Sequence, residues 1–366
     1  MRLPIELPVS PMLAKAVETV PTHAPLPRGA KPDPEAPGLA YEPKWDGFRC
    51  IVLRDGDEIE LASRGKKPLT RYFPEVVELV REHLPERLAL DCEIVVRRGE
   101  PGAQRFDWEM LSARIHPAAS RIEKLSRETP AELVAFDLLA VGDESLMELP
   151  FGARRERLEA IFASITSPAL HLTRLTRDHA EAERWFEHFE GAGLDGVVAK
   201  PLDAPYAPGK RTMLKIKHHR SAEAVVVGYR VHKSGEGVGS LLLGLAEPGT
   251  DGEPVYRNVG GIVSFTNARR LELVDELEPL VVRDDDGEVA HAETDRSRFS
   301  SAKDVSFVPL RPERVVEVAF DQLEGQRFRH AVTFVRWRPD RDPASCTLDQ
   351  IDVAPAYDLS EVLQGE

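Results

Sequence analysis

Apolar and polar positions along the chain fall into two rhythms. Short β-branched and aromatic runs at 49–53 and 88–96 predict strands. From Pro74 to Leu84 the spacing turns helical, with Val76, Val77, Val80 and Leu84 on one side and proline in the first turn. A further helix is predicted after Asp178, with Glu181 three residues on as its capping-box partner and Gly191 as its stop. Trp185, Phe186 and Phe189 lie on the apolar side of that helix and read as core rather than as a ligand-stacking cluster.

Punctuation divides the chain. Pro21, Pro25, Pro27, Pro32, Pro34 and Pro37 carry no periodicity and predict an irregular loop over 21–38. After Lys217 the texture changes to strand-like runs at 224–231, 240–246 and 255–262, joined by glycine-containing turns. A helix is expected over 268–280, and a mobile acidic loop around Asp284, Asp285 and Asp286. Strands resume at 314–320 and 331–337. Several short strands with one helix suggest a small barrel of the OB type. The expected organisation is α+β, with domains over 1–217 and 218–366.

Composition narrows the class. At 366 residues, 42% hydrophobic and 30% charged, the chain suits two ordinary globular domains. It has no apolar run of membrane-spanning length, and Met1–Pro8 lacks the apolar core of a signal peptide, so cytoplasmic residence is expected. Cys50, Cys92 and Cys346 are scattered and provide neither a disulfide framework nor a four-cysteine zinc site. The formal net charge of −14 argues mildly against a nucleic-acid partner, although a basic strip on an acidic body still binds one.

The octet Glu42-Pro43-Lys44-Trp45-Asp46-Gly47-Phe48-Arg49 brings in chemistry. A lysine attacks only as the free amine, which demands neighbouring cations or desolvation. Gly47 permits a tight turn, and Arg49 could hold phosphate or ribose oxygens. Alone, Lys-x-Asp-Gly is equally a surface turn between strands. Downstream, however, come Ser63-Arg64-Gly65, Asp91-Cys92-Glu93 within an apolar strand, Phe136-Asp137, Asp195-Gly196 followed by Val-Val-Ala-Lys200, and Lys215-Ile216-Lys217. Carboxylates inside so apolar a strand are costly unless paired or metal-bound. Alternation points both amines of Lys215 and Lys217 to one face. Carboxylates, lysines and arginines together suit a nucleoside triphosphate with Mg²⁺.

In this order the motifs resemble those of the covalent nucleotidyltransferases: DNA ligases, RNA ligases and capping enzymes. Within that superfamily the chain resembles the small bacterial ATP-dependent DNA ligases of the ligase C type, over nearly its whole length. The resemblance implies a nucleotidyltransferase catalytic domain of the ATP-grasp-like ligase class, followed by an OB-fold barrel. It implies that Lys44 attacks the α-phosphorus of ATP, that Glu42 reads the adenine edge and that Phe136 stacks on the base. Arg49 and Arg64 would hold ribose and phosphate oxygens. Glu93 and Asp195 would position Mg²⁺ or Mn²⁺, while Lys200, Lys215 and Lys217 would complete the nucleotide site. Arg336 and Arg338, flanking Trp337, fall at the motif that closes over ATP, and Arg327, Arg329 and Lys233 are candidates for backbone phosphates.

Three positions depart from the family pattern. Cys92 stands where many relatives have glycine, Asp195 replaces a more frequent glutamate, and Met213 replaces a tryptophan. Phe136, among apolar neighbours, would also suit a core, and Asp137 could merely cap a turn. His218-His219 reads as a hinge rather than a metal site. An NAD-dependent ligase is disfavoured by length and cysteine count. Capping enzymes fit the segment 206–211 less well, an RNA ligase would more often have a helical second domain, and an inert DNA-binding module would not keep every catalytic side chain. Nicked duplex DNA is the expected partner of a monomer acting in repair at the nucleoid. Ku-type end-binding proteins or a repair polymerase would recruit it.

Overall fold

The computed structural model describes residues 1–24, 37–218, 220–250, 252–293, 306–351 and 355–363. Most of the proline-rich stretch, and His219, lie outside them. The chain divides into two compact units, Met1–Lys217 with the tail Ala354–Glu366, and His218–Val353.

Alternation along the strands builds the first unit. Strands Glu58–Ser63, Phe48–Asp55, Arg87–Arg98 and Ala131–Val141 are successive neighbours in one sheet. Side chains of a strand point alternately to its two faces. Thus Cys50, Val52, Leu88, Leu90, Cys92, Ile94, Leu133 and Ala135 enter one core with Val76 and Val80 of helix Pro74–His83 and Leu158 of helix Phe151–Phe162. The intervening Ile51, Leu53 and Ala89 meet Met213, while Val95, Val134 and Phe136 meet Tyr41, Val197, Ala199, Leu214 and Ile216. Those partners belong to a second, four-stranded sheet, ordered Leu13–Val17, Arg211–Ile216, Val197–Pro201, Leu39–Pro43. Cover on both faces explains why 131–141 reads as an almost unbroken apolar run.

Two local expectations change. Helix His179–His188 is capped by Asp178, whose side chain accepts from the Ala180 N–H. Glu181 does not close a capping box: it accepts from the Thr176 hydroxyl at 2.5 Å, and that hydroxyl also takes the Asp178 N–H. The segment after 353, expected with the second domain, packs on the first instead. Leu359 and Val362 are fully buried with Trp185, Phe189 and Phe106, and the Tyr357 ring lies 5.4 Å from that of Phe189. Burying these side chains there removes apolar area from water that an extended tail would leave exposed.

In the second unit the long strand Arg220–Val231 pairs with Val238–Pro248 on one side. On the other it pairs with Val315–Phe320 through its first half and Ser306–Pro309 through its second. Pro254–Ile262 and Thr333–Trp337 extend the sheet, and a bridge from Ile262 to Val332 curls it towards closure. Helix Asn267–Leu277 buries Leu273 and Leu277 in this curled sheet, giving the OB-type barrel. Around Asp284 the chain forms a closed turn, with the Gly287 N–H donating to the Asp284 carbonyl at 3.0 Å. No helix among the described residues is long and apolar enough to cross a membrane.

The deepest ion pair of the first unit joins Arg154 and Asp137, 0% and 2% exposed, through two parallel bonds of 2.8 and 2.9 Å. Arg154 also donates to the Leu149 and Ala204 carbonyls. Asp137 is therefore an internal anchor and not a turn cap. Arg154→Met should lower stability by about 3–5 kcal/mol by stranding a buried carboxylate. Urea denaturation followed by fluorescence would measure it, and an unchanged midpoint would refute the assignment.

Candidate active site

Strand ends and one tight approach assemble the site. Lys44 follows strand Leu39–Pro43, and its backbone is tied on both sides: its N–H donates to the Gly196 carbonyl, and its carbonyl accepts from Asp195, both at 2.9 Å. The Trp45 indole N–H donates to the Thr173 hydroxyl at 2.8 Å. Gly47 is required by proximity, because a Cβ there would lie 2.2 Å from the Ile94 carbonyl oxygen. Its N–H instead donates to Glu93 Oε1 at 3.0 Å. Gly196 takes φ +122°, and a Cβ on it would strike the Ile216 carbonyl.

One cavity of about 1410 Å³ is lined by Glu42, Lys44, Arg49, Arg64, Glu93, Phe136, Asp195, Lys200, Lys215 and Lys217. Ten lysines and arginines line it against four acidic side chains, so the site is basic although the chain is acidic. Asp195 Oδ2 holds two amines at once, Lys44 Nζ at 2.5 Å and Lys217 Nζ at 2.7 Å. Burial alone would raise the Asp195 pKa, but Lys44 and Lys217 outweigh it and hold the carboxyl below its ordinary range. Lys215 holds its proton less firmly than usual, through burial first and then Lys217 and Lys44. Burial pushes Glu93 up to about 7 against the pull of Lys44 and Arg49.

The end of the cavity around Phe136 is built differently. The register between strands 87–98 and 131–141 shifts so that Asp91 faces Asp137 and Cys92 faces Ala135. Phe136 falls at this bulge, which re-aims it into the cavity. Arg49 and Lys200 lie 5.2 and 5.0 Å from the centre of its ring. Lys200, 3% exposed, is no surface charge: its amine donates to the Phe136 carbonyl at 3.0 Å and meets Glu42 Oε2 at 2.6 Å. Arg49 is forked onto Asp91, whose Oδ2 also accepts from the Tyr206 hydroxyl at 2.6 Å.

Sequence reading missed the supporting groups, namely Arg154, Arg155, Thr173 and Tyr206. The only signal was the adjacent arginine pair 154–155 in the helix after Phe136-Asp137. Arg336 and Arg338 belong to the second unit. Arg336 pairs with Glu317 at 2.7 Å, and Arg338 with Glu223 and Asp340. Both reach Glu317, as expected of one strand face.

The family model described as ATP dependent DNA ligase domain matches residues 11–217, and that described as ATP dependent DNA ligase C terminal region matches 234–341. The chain belongs to the ATP-dependent DNA ligases. It is 52% identical over 371 residues to DNA ligase C1 of Mycolicibacterium smegmatis, covering 100% of both chains. It is 48% identical over 379 residues to DNA ligase C of Mycobacterium tuberculosis, covering 100% of this chain and 99% of that one. A solved structure titled as a structure-function analysis of Lig E DNA ligases shares the fold, at 17% identity and a TM-score of 0.50, over 82% of this chain and 92% of that one. The enzyme is therefore a nick-sealing ligase that uses ATP and a divalent metal.

Small-molecule sites occupy roughly 300–1,000 Å³. The ligase cavity is larger than that. Among the described residues no cluster of three metal-ligating side chains occurs. The donors nevertheless fit Mg²⁺, which takes one or two carboxylates and completes its shell with phosphate oxygens and water. Gly47→Ala should slow labelling of the enzyme by ATP on the order of 100-fold, because the added Cβ displaces the Lys44 loop. Labelling with radioactive ATP at the unaltered rate would show that the loop tolerates the methyl group.

Proposed function

We propose that Lys44 is the residue that carries AMP, and that the remaining cavity residues divide into base, phosphate and metal groups around it. The observation that carries this reading is the placement of Lys44 Nζ beside Asp195, Lys215 and Lys217 in one basic cavity. In the first step Lys44 Nζ leaves Asp195, gives up a proton to solvent and, as the free amine, bonds to the α-phosphorus of ATP, while the bond from that phosphorus to the bridging oxygen breaks and pyrophosphate departs. The AMP then passes to the 5′-phosphate of a nick, with Lys44 as leaving group. Finally the 3′-hydroxyl attacks that phosphate and AMP is released. Lysine suits the middle step because its P–N bond is labile once the nitrogen is protonated.

Lys215 and Lys217 stabilise charge that develops on the α-phosphate. Arg64, exposed at the cavity wall, and Arg49 hold phosphate or ribose oxygens, with Arg49 kept in place by Asp91. Phe136 stacks on the base, Glu42 accepts from its amino group, and Lys200 supports both. Glu93 and Asp195 would hold Mg²⁺ or Mn²⁺, which when bound offsets negative charge on the phosphates.

Residues 1–217 form the adenylation domain and the second unit the OB domain, where Arg336 and Arg338 exchange their present acidic partners for the triphosphate during self-adenylylation. Arg327, Arg329 or Lys233 contact DNA phosphates. Supported by the resemblance alone, the enzyme acts as a monomer in repair of nucleoid DNA in the cytoplasm, recruited by a Ku-type protein or a repair polymerase.

Lys44→Ala should abolish labelling by radioactive ATP and all nick sealing, while still binding nicked DNA in a gel-shift assay. Retained labelling would transfer the nucleophile elsewhere. Arg336→Ala or Arg338→Ala should lower self-adenylylation about 100-fold yet change sealing of a pre-adenylylated nick much less. The opposite pattern, read on denaturing gels, would assign these arginines to the DNA steps.

A further inference from the structure

Glu42 is 2% exposed, and its two oxygens are treated unequally. Oε2 meets the Lys200 amine at 2.6 Å. Oε1 accepts no hydrogen bond from any described residue. That oxygen lies 3.8 Å from Arg155 Nη1, which likewise has no hydrogen-bond partner among the described residues. Arg155 cannot simply close this gap, for its other nitrogens are committed. Nε donates to Glu159 Oε1 at 2.7 Å and Nη2 to the Thr173 carbonyl at 2.8 Å. The guanidinium is thus fixed where it lends positive charge to Glu42 without occupying the oxygen.

We infer that Arg155 is a positioning residue for base selection: it leaves one Glu42 oxygen unpaired, as an acceptor for the 6-amino group of adenine, and thereby excludes 6-oxopurines. The inference rests on the reading of Glu42 as the base-contacting group and goes beyond it by naming what sets its selectivity.

An ionised carboxylate only accepts hydrogen bonds, whereas a protonated one can donate. The 6-amino group of adenine donates, and the 6-oxo group of hypoxanthine or guanine accepts. The protonation state of Glu42 therefore decides which purine fits. Burial comes first and raises the Glu42 pKa above its ordinary value; Lys200 and Arg155 oppose that rise without cancelling it, and Asp137 adds to it. Without Arg155 the balance moves further towards the protonated acid, which would donate to a 6-oxo group. A buried acceptor left open is itself costly, a cost the incoming amino group removes.

The test compares ATP, inosine triphosphate and purine riboside triphosphate, which lacks any 6-substituent, as donors for labelling the full-length enzyme. The variants are Arg155→Met, Arg155→Gln, Arg155→Lys and Glu42→Gln. Arg155→Gln loses the charge but keeps a donor for the Thr173 carbonyl, which guards against a folding failure of the methionine variant. The two neutral variants should lower the preference for ATP over inosine triphosphate by at least about tenfold, mainly through KM. Arg155→Lys should retain most of it. Equal slowing with all three nucleotides in the glutamine variant would overturn the inference and leave Arg155 a purely structural group. A preference that survives Glu42→Gln would instead overturn the assignment of Glu42, and the inference with it.

Discussion

One carboxylate oxygen holds two amines in this enzyme. Asp195 Oδ2 bonds Lys44 and Lys217 together, on a side chain only 8% exposed. The contact depends on the backbone as much as on charge, because Lys44 and residues 195–196 exchange two main-chain hydrogen bonds. Much of the site follows from this clasp. It brings the end of strand 39–43 against the start of strand 197–201, whose other neighbour ends at Lys215, Ile216 and Lys217. The cations that an anionic substrate needs are thereby gathered before it arrives, with Asp195 limiting their mutual repulsion. On the reading proposed for Lys44, a phosphate entering the site competes with Asp195 for the same amines, so the clasp both organises Lys44 and has to yield it.

Much of this was legible because the strands are short, apolar and ordered. The positions 42, 44, 93, 136, 195, 215 and 217 sit at strand ends or on their cavity face, where alternation predicts direction. The residues around them were not legible, and the reason is distance in sequence. Glu42 meets Arg155 and Lys200, and Arg49 meets Asp91 and Tyr206. Each pair is created by sheet packing and leaves no local period to read. Arg154 and Arg155 have the composition of a solvated helix face, yet both are buried. Similarly, Glu181 had the spacing of a capping box, but Thr176 offered it a better-placed donor. Local pattern set the helix end; a neighbouring hydroxyl chose the partner.

The charge balance illustrates the same separation of scales. A chain of formal charge −14 repels polyanions on average, and composition alone would weigh against a DNA substrate. Screening confines such an average to about 10 Å at moderate salt, while the cavity lining is predominantly cationic over contact distances. Arg336 and Arg338 of the second unit are paired with Glu317, Glu223 and Asp340 within their own barrel. Arg336 and Asp340 are exposed, where ion pairs contribute little, whereas Arg338 and Glu223 are partly buried.

The tail adds a constraint that a tandem of two domains lacks. Because residues 355–363 return to the first unit, the barrel is joined to it by two chain crossings, one after Lys217 and one after Val353. Leu359 and Val362 hold the second crossing by burying apolar surface against Trp185 and Phe189. The apolar pattern of this short helix thus anchors it to the first unit, and its distance in sequence from Trp185 and Phe189 is what concealed that.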